Sequence, residues 1–238
     1  MPRLKNQYFF GNITLLRWKL TESWQELLGH CTTKKIKIDF DSLPQSDKRR
    51  CEQLAEYLLL SHYFMGIHVK LGHDEHGAPR ILGFDDIYLS ISHTRGMVMI
   101  ALSEHEPMGI DVECISERVV KVRHKFVNDT ENADISSVNA TDLTLVWTAK
   151  EAMYKLAGVA GASLRDDFTI RSTVFTGASN EHSLRAHTTA AGTQQDIELC
   201  SIIDREEAMV TTVAVFYRTP SERLDRRCTP CCEEDYYD

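Results

Sequence analysis

Gly109-Ile110-Asp111-Val112-Glu113 and, about forty residues on, Trp147-Thr148-Ala149-Lys150-Glu151-Ala152-Met153-Tyr154-Lys155 are the stretches on which the fold turns. The first alternates. Along a strand from Met108 to Cys114, Ile110 and Val112 face one side, and Asp111 and Glu113 face the other. The second repeats at helical spacing. Val146, Ala149, Met153 and Leu156 make one apolar stripe, and Trp147, Glu151 and Lys155 make a second line with Lys150 beside it. That helix is predicted over about Thr141 to Ala157, with Gly158 as its stop.

Outward from these, the chain reads as two runs of helix then strand. Thr14 to Trp18 and Lys35 to Phe40 alternate as strands, with a short helix from Thr21 ending near Gly29 between them. A longer helix is predicted from about Ser46 to Met65, with Cys51, Leu54, Ala55, Leu58 and Met65 as its apolar stripe. Gly72 to Gly83 reads as a turn region, and Ile87 to Ser92 with Met97 to Leu102 as a hairpin about Thr94-Arg95-Gly96. A polar, helical stretch is expected from Ile115 to Asn139. After the second long helix come strands at Phe168 to Ile170, Ile197 to Ile203 and Met209 to Tyr217, with a polar loop from Gly177 to Gly192. The expected class is α+β, as two similar halves, each a long helix on a small, mainly antiparallel sheet. The halves are placed at residues 1–106 and 107–220, with a flexible polar tail at 221–238.

Composition narrows the options. A net charge of −8 disfavours general nucleic-acid binding. No apolar run approaches the ~18 residues of a membrane span, and Met1 to Asn6 lacks a signal-peptide core, so a cytoplasmic protein is expected. Seven cysteines form no framework, so reduced thiols are expected. Cys228, Cys231 and Cys232 have no partner cluster at zinc spacing and read as part of the solvated tail.

The acids suggest a metal. Asp111 and Glu113 project together about 6–7 Å apart by strand rise, and two such carboxylates repel unless a cation or proton relieves them. Mg²⁺ takes oxygen ligands and binds through one or two carboxylates plus substrate phosphates. Glu151 could be a third ligand or a general base, and Lys150 and Lys155 could neutralise phosphate oxygens. Taken singly, each feature also fits a solvated strand or a Glu-to-Lys pair on a wet helix face worth about 0.3–0.5 kcal/mol. Ser90-Ile91-Ser92-His93 ends a strand and could offer a hydroxyl and an imidazole to a phosphate. There is no G-x-S-x-G elbow, Walker A loop or G-x-G-x-x-G fingerprint.

Ser90 to His93, Gly109 to Glu113, Phe126-Val127-Asn128-Asp129-Thr130-Glu131 and Trp147 to Lys155, in this order, resemble the 4′-phosphopantetheinyl transferase superfamily, in its longer, monomeric, surfactin-synthetase-activating form. The resemblance spans roughly Ser46 to Ile170. It implies transfer of the phosphopantetheine arm of coenzyme A to a serine of an acyl or peptidyl carrier protein, releasing adenosine 3′,5′-bisphosphate. It also implies two α+β halves, with coenzyme A and Mg²⁺ in the cleft between them. Carried across, Asp111, Glu113 and Glu151 would hold Mg²⁺, and Glu151 would help deprotonate the serine. Lys155 would stabilise charge on the phosphates, while Lys150, Ser92 and His93 would contact the nucleotide phosphates, His93 at the 3′-phosphate. Many relatives carry a basic residue in a G-(K/R)-P turn. Here the turn is Gly77-Ala78-Pro79, leaving Arg80 or one of Lys48, Arg49 and Arg50 to substitute. A non-catalytic coenzyme A-binding module and a metal-dependent phosphohydrolase are the alternatives, and fatty-acid, polyketide and nonribosomal peptide carriers are all open.

Overall fold

The computed structural model describes residues 7–9, 12–134, 139–175 and 180–218. The first half opens with β1 (Gln7–Phe9) and β2 (Ile13–Lys19). α1 (Trp24–Thr33) begins at Ser23, whose hydroxyl accepts from the Glu26 N–H while the Glu26 carboxylate accepts from the Ser23 N–H. This helix runs through Gly29, where its end was expected, to Thr33. The expected strand at Lys35 to Phe40 does not form. Lys35 takes a left-handed φ of 56°, the Ile36 N–H closes back on the Cys31 carbonyl, and Ile36 and Ile38 pack on the core without a partner strand.

α2 (Asp47–Tyr63) is capped by Ser46 and buries Leu54, Ala55 and Leu58 as expected. Met65, assigned to the same stripe, lies past the helix end and is 90% exposed. The predicted turn region contains a hairpin of β3 (Lys70–His73) and β4 (Pro79–Leu82). Its turn is held by the Asp74 carboxylate, which accepts from the His76 and Ala78 N–H groups. β5 (Tyr88–Thr94) and β6 (Met97–Ser103) form the expected hairpin.

The second half starts at β7 (Met108–Cys114), with the bounds read from the alternation. The polar stretch after it is broken into α3 (Arg118–Val122), a 3₁₀ turn and α4 (Asp129–Asp134). α5 (Ala140–Ala157) starts at the Asn139 cap and stops at Gly158, which takes a left-handed φ of 64°. β8 (Phe168–Phe175), β9 (Glu181–Thr188), β10 (Gln195–Asp204) and β11 (Met209–Phe216) follow. β9 lies inside the stretch expected to be a polar loop. Its outward polar positions hid the alternate burial of Leu184, Ala186 and Thr188.

The strands make two antiparallel sheets, in the orders β1-β2-β6-β5 and β7-β11-β10-β9-β8, beside the small β3-β4 hairpin. In both sheets the last strand of the run pairs with the strand before the long helix: β6 with β2, and β11 with β7. α1 and α2 cover the first sheet, and α5 covers the second. Ile110 and Val112 face a third apolar cluster shared with Ile13, Leu15, Met97 and Met99, so the two sheets also share a core. The Arg17–Asp204 and Lys19–Glu207 ion pairs cross between them. The architecture is α+β. Residues 221–238, including Cys228, Cys231 and Cys232, lie outside the described residues. The described Cys31, Cys51, Cys114 and Cys200 are free thiols, and no described helix is long and apolar enough to cross a membrane.

Candidate active site

α5 reaches the acidic strand because Gly109 has no side chain. A Cβ built there would lie 1.9 Å from the Ala152 carbonyl oxygen and 2.8 Å from the Leu156 nitrogen. Helix backbone thus rests directly on strand backbone, and the acids of β7 and Glu151 of α5 share one region.

The other side of β7 meets β5. These are the edge strands of the two sheets, and no backbone ladder joins them. Side-chain hydroxyls do. The Ile110, Val112 and Cys114 N–H groups donate to Ser90, Ser92 and Thr94, at 3.1, 3.2 and 3.3 Å. The residue offset is constant, so the strands run in the same direction, with alternate hydroxyls of β5 facing alternate donors of β7. Edge donors that would otherwise be unsatisfied in a buried seam are thereby paired.

Ser92 also donates to Asp111 Oδ1 at 2.8 Å, the oxygen that receives Lys155 Nζ at 2.9 Å. Lys155 additionally donates to the Ile110 carbonyl at 2.9 Å. Thr94 donates to Glu113 Oε1 at 2.6 Å. Burial pushes the Asp111 carboxyl above the usual carboxylate range, against the pull of Lys155 and Ser92. Glu151 is raised too, first by burial and then by the charge of Asp111, with a smaller push from Glu113. The three acids therefore feel one another across the β7–α5 contact.

Among the described residues, no group of three His, Cys, Asp or Glu side chains stands gathered as a ready cation cage. The donor set nevertheless fits a hard cation that shares its shell with phosphates. Asp111 and Glu151 both lie within electrostatic reach of Lys155, and Glu113 lies within reach of these two acids. The hydrogen bonds to Asp111 and Glu113 within the described residues all fall on Oδ1 and Oε1, leaving Oδ2 and Oε2 without protein donors.

Other expected residues are placed differently. Lys150 is fully buried, with its ammonium 2.7 Å from Glu131 Oε2, so it presents no charge to a ligand. Burial pushes that ammonium below the usual lysine range while Glu131 opposes the shift. Glu131 also accepts from the Asn128 and Ile170 N–H groups, tying α4, α5 and β8 together. Ser92 is buried against Asp111 and does not face out as a phosphate ligand. His93 Nε2 lies 2.6 Å from Glu56 Oε1 on α2, a contact the sequence reading missed. Arg80 is exposed, 3.6 Å from Asp74. Lys48 and Arg49 pair with Glu52, and Arg50 with Asp47, so these three of the four candidates to replace the missing turn charge are engaged within α2.

Gly109, Thr94 and Glu56 carried signals that only the folded chain makes readable. The period-two run Ser90, Ser92, Thr94 was visible, but nothing in one strand reveals which neighbour it serves. Trp147 stacks edge-on against buried Phe126, with centroids 5.1 Å apart. With Arg118, Val119, Val122 and Lys125 it lines a cleft of about 330 Å³ that opens beside Glu113.

Comparison with known proteins converges on this half. Residues 107–213 match the family model described as the 4′-phosphopantetheinyl transferase superfamily. A 4′-phosphopantetheinyl transferase of Bacillus subtilis is 27% identical over 107 residues, covering 43% of this chain and 47% of the relative. The 4′-phosphopantetheinyl transferase gsp of Aneurinibacillus migulanus is 34% identical over 89 residues, covering 36% of each. The 4′-phosphopantetheinyl transferase Sfp of Bacillus subtilis strain 168 is 26% identical over 107 residues, covering 43% of this chain and 47% of the relative. The matched stretch thus spans about half or less of these relatives. It holds β7, α5 and all three acids, and over it the chain is similar to the 4′-phosphopantetheinyl transferase superfamily and, at low identity, to the Bacillus and Aneurinibacillus transferases.

Proposed function

We propose that this protein transfers the 4′-phosphopantetheine group from coenzyme A to a serine of an acyl or peptidyl carrier protein, releasing adenosine 3′,5′-bisphosphate. The observation that carries this reading is the convergence of Asp111, Glu113, Glu151 and Lys155 at the β7–α5 contact, within the stretch that matches the family. Asp111, Glu113 and Glu151 are the residues that would hold Mg²⁺ against the coenzyme A pyrophosphate. The bound ion supplies neutralisation of the pyrophosphate and polarisation of the attacked phosphorus.

The chain's own groups do the rest. The serine oxygen forms a new bond to the phosphorus bearing the pantetheine arm, and the bond from that phosphorus to the bridging oxygen breaks. Glu151, made more basic by burial and by Asp111, takes the serine proton directly or through water. Lys155, partly exposed at the edge of the acids, offers its charge to the departing phosphate oxygens. His93 contributes the first half's contact to the nucleotide at the 3′-phosphate. The half-apolar, half-basic cleft of Trp147, Val119, Arg118 and Lys125 beside Glu113 is the approach for the acceptor. We place the halves at 1–106 and 107–220, related as a pseudo-dimer within a cytoplasmic monomer.

The test is the mass of a carrier protein after incubation with enzyme, coenzyme A and Mg²⁺. Modification adds about 340 Da, the mass of the transferred arm in this phosphoryl-type transfer. No gain on acyl, polyketide or peptidyl carriers would overturn the reading.

A further inference from the structure

The hydroxyl seam between β5 and β7 has two jobs, and its three members do not share them equally. Ser90, Ser92 and Thr94 each accept one N–H of β7. Only Ser92 and Thr94 pass their own hydrogen on to a carboxylate, Asp111 and Glu113 respectively. Each pair repeats one geometry: the hydroxyl accepts from residue i+1 and donates to the side chain of residue i. Each donated bond falls on one oxygen of the acid: Asp111 Oδ1, which also receives Lys155, and Glu113 Oε1, which also receives the Cys114 N–H.

We propose that Ser92 and Thr94 are positioning residues, which fix one oxygen of Asp111 and of Glu113 so that the other is presented to a divalent cation, while Ser90 serves the seam alone. The inference rests on the reading of Asp111 and Glu113 as cation ligands. A carboxylate on a strand has two soft side-chain torsions or more, and an anchor on one oxygen removes that freedom before the ion arrives. Orienting bonds of this kind typically carry roughly 10–100-fold in metal affinity. The anchors also sit on the first sheet while the acids sit on the second. The cation site is thereby tied to the docking of one half on the other, although no first-half side chain need touch the ion.

The built-in comparison is Ser90→Ala against Ser92→Ala and Thr94→Val, since each removes one seam bond but only the latter two remove an anchor. Thr94→Ser keeps both bonds and serves as the conservative rescue. The readout is Mn²⁺ binding to the full-length protein with coenzyme A present, followed by the loss of the free-ion electron paramagnetic resonance signal. Thermal unfolding of each variant runs in parallel. The expected result is a roughly 10–100-fold weaker Mn²⁺ affinity for Ser92→Ala and Thr94→Val, with Ser90→Ala and Thr94→Ser close to wild type. Equal weakening in all three bond-removing variants, or unchanged affinity in Ser92→Ala and Thr94→Val, would overturn the positioning role. Absence of Mn²⁺ binding by the wild type would overturn the underlying reading of the acids, and the proposal with it. If Ser92→Ala does not fold, Thr94→Val against Thr94→Ser decides alone.

Discussion

Replacing Gly109 by alanine perturbs a point where α5 and β7 meet backbone to backbone. The added methyl would stand 1.9 Å from the Ala152 carbonyl oxygen, short of ordinary van der Waals contact by about 1.5 Å. Neither obstacle is a flexible side-chain end. Both Ala152 O and Leu156 N belong to helix backbone, so the helix must lift or the strand must bend. Overpacking of a core typically costs about 1–3 kcal/mol, and a backbone clash belongs at or above the upper end. At ~2–4 °C of Tm per kcal/mol for a chain of this size, that is a fall of roughly 6–12 °C. Lifting α5 also draws Glu151 and Lys155 away from Asp111. A misplacement of ~1 Å at a reacting site can cost about 10²-fold in rate, so turnover should fall further than stability alone explains. Thermal unfolding by circular dichroism and carrier modification at a temperature well below both midpoints separate the two effects. A Gly109→Ala protein with wild-type Tm and turnover would refute the seating of α5 on β7 described here.

Three other outcomes are expected. Lys150→Met leaves Glu131 buried with its charge uncompensated, a change that typically costs about 3–5 kcal/mol, and urea unfolding should show it; an unchanged midpoint would mean that Lys150 is not paired inside the protein. Asp111 and Glu151 have raised folded-state pKa values, so the stability they confer is complete below the ordinary carboxylate range and is lost as pH rises through the raised values. Mg²⁺ with coenzyme A should therefore raise Tm more at about pH 7.5 than at about pH 5, by roughly 5–10 °C at a hundredfold excess over Kd; an equal rise at both pH values would contradict this. Glu56→Gln removes the carboxylate held 2.6 Å from His93, and KM for coenzyme A should fall roughly three- to tenfold, equivalent to about 1 kcal/mol of relieved repulsion; an unchanged or higher KM would place the nucleotide away from His93.

Much of the second half was legible because its local signals agree with its tertiary ones. Alternation bounded β7, and the 3.6-residue repeat with Gly158 bounded α5, since each buries one face against a core. The failures have a shared origin. Lys35 to Phe40 alternates like a strand but has no neighbour to pair with, and β9 is a strand only because β8 and β10 flank it. The acids Asp111 and Glu113 were recognisable from residue type and spacing. Their partners were not, because Ser92 and Thr94 act across a seam between two sheets and Gly109 acts through what it lacks. Lys150 shows the opposite case. Its place beside the Trp147–Glu151–Lys155 line suggested phosphate binding, whereas the packing of α5 turns it inward to Glu131.

The central claim is that the β7–α5 acids carry out phosphopantetheine transfer. Its most direct test is the intact mass of a carrier protein incubated with coenzyme A, Mg²⁺ and either wild-type protein or Glu151→Gln, alongside calorimetric binding of coenzyme A to both. A gain of about 340 Da is expected with wild type only, while both proteins bind coenzyme A. A Glu151→Gln protein that modifies the carrier as fast as wild type, or a wild type that modifies none, would contradict the account.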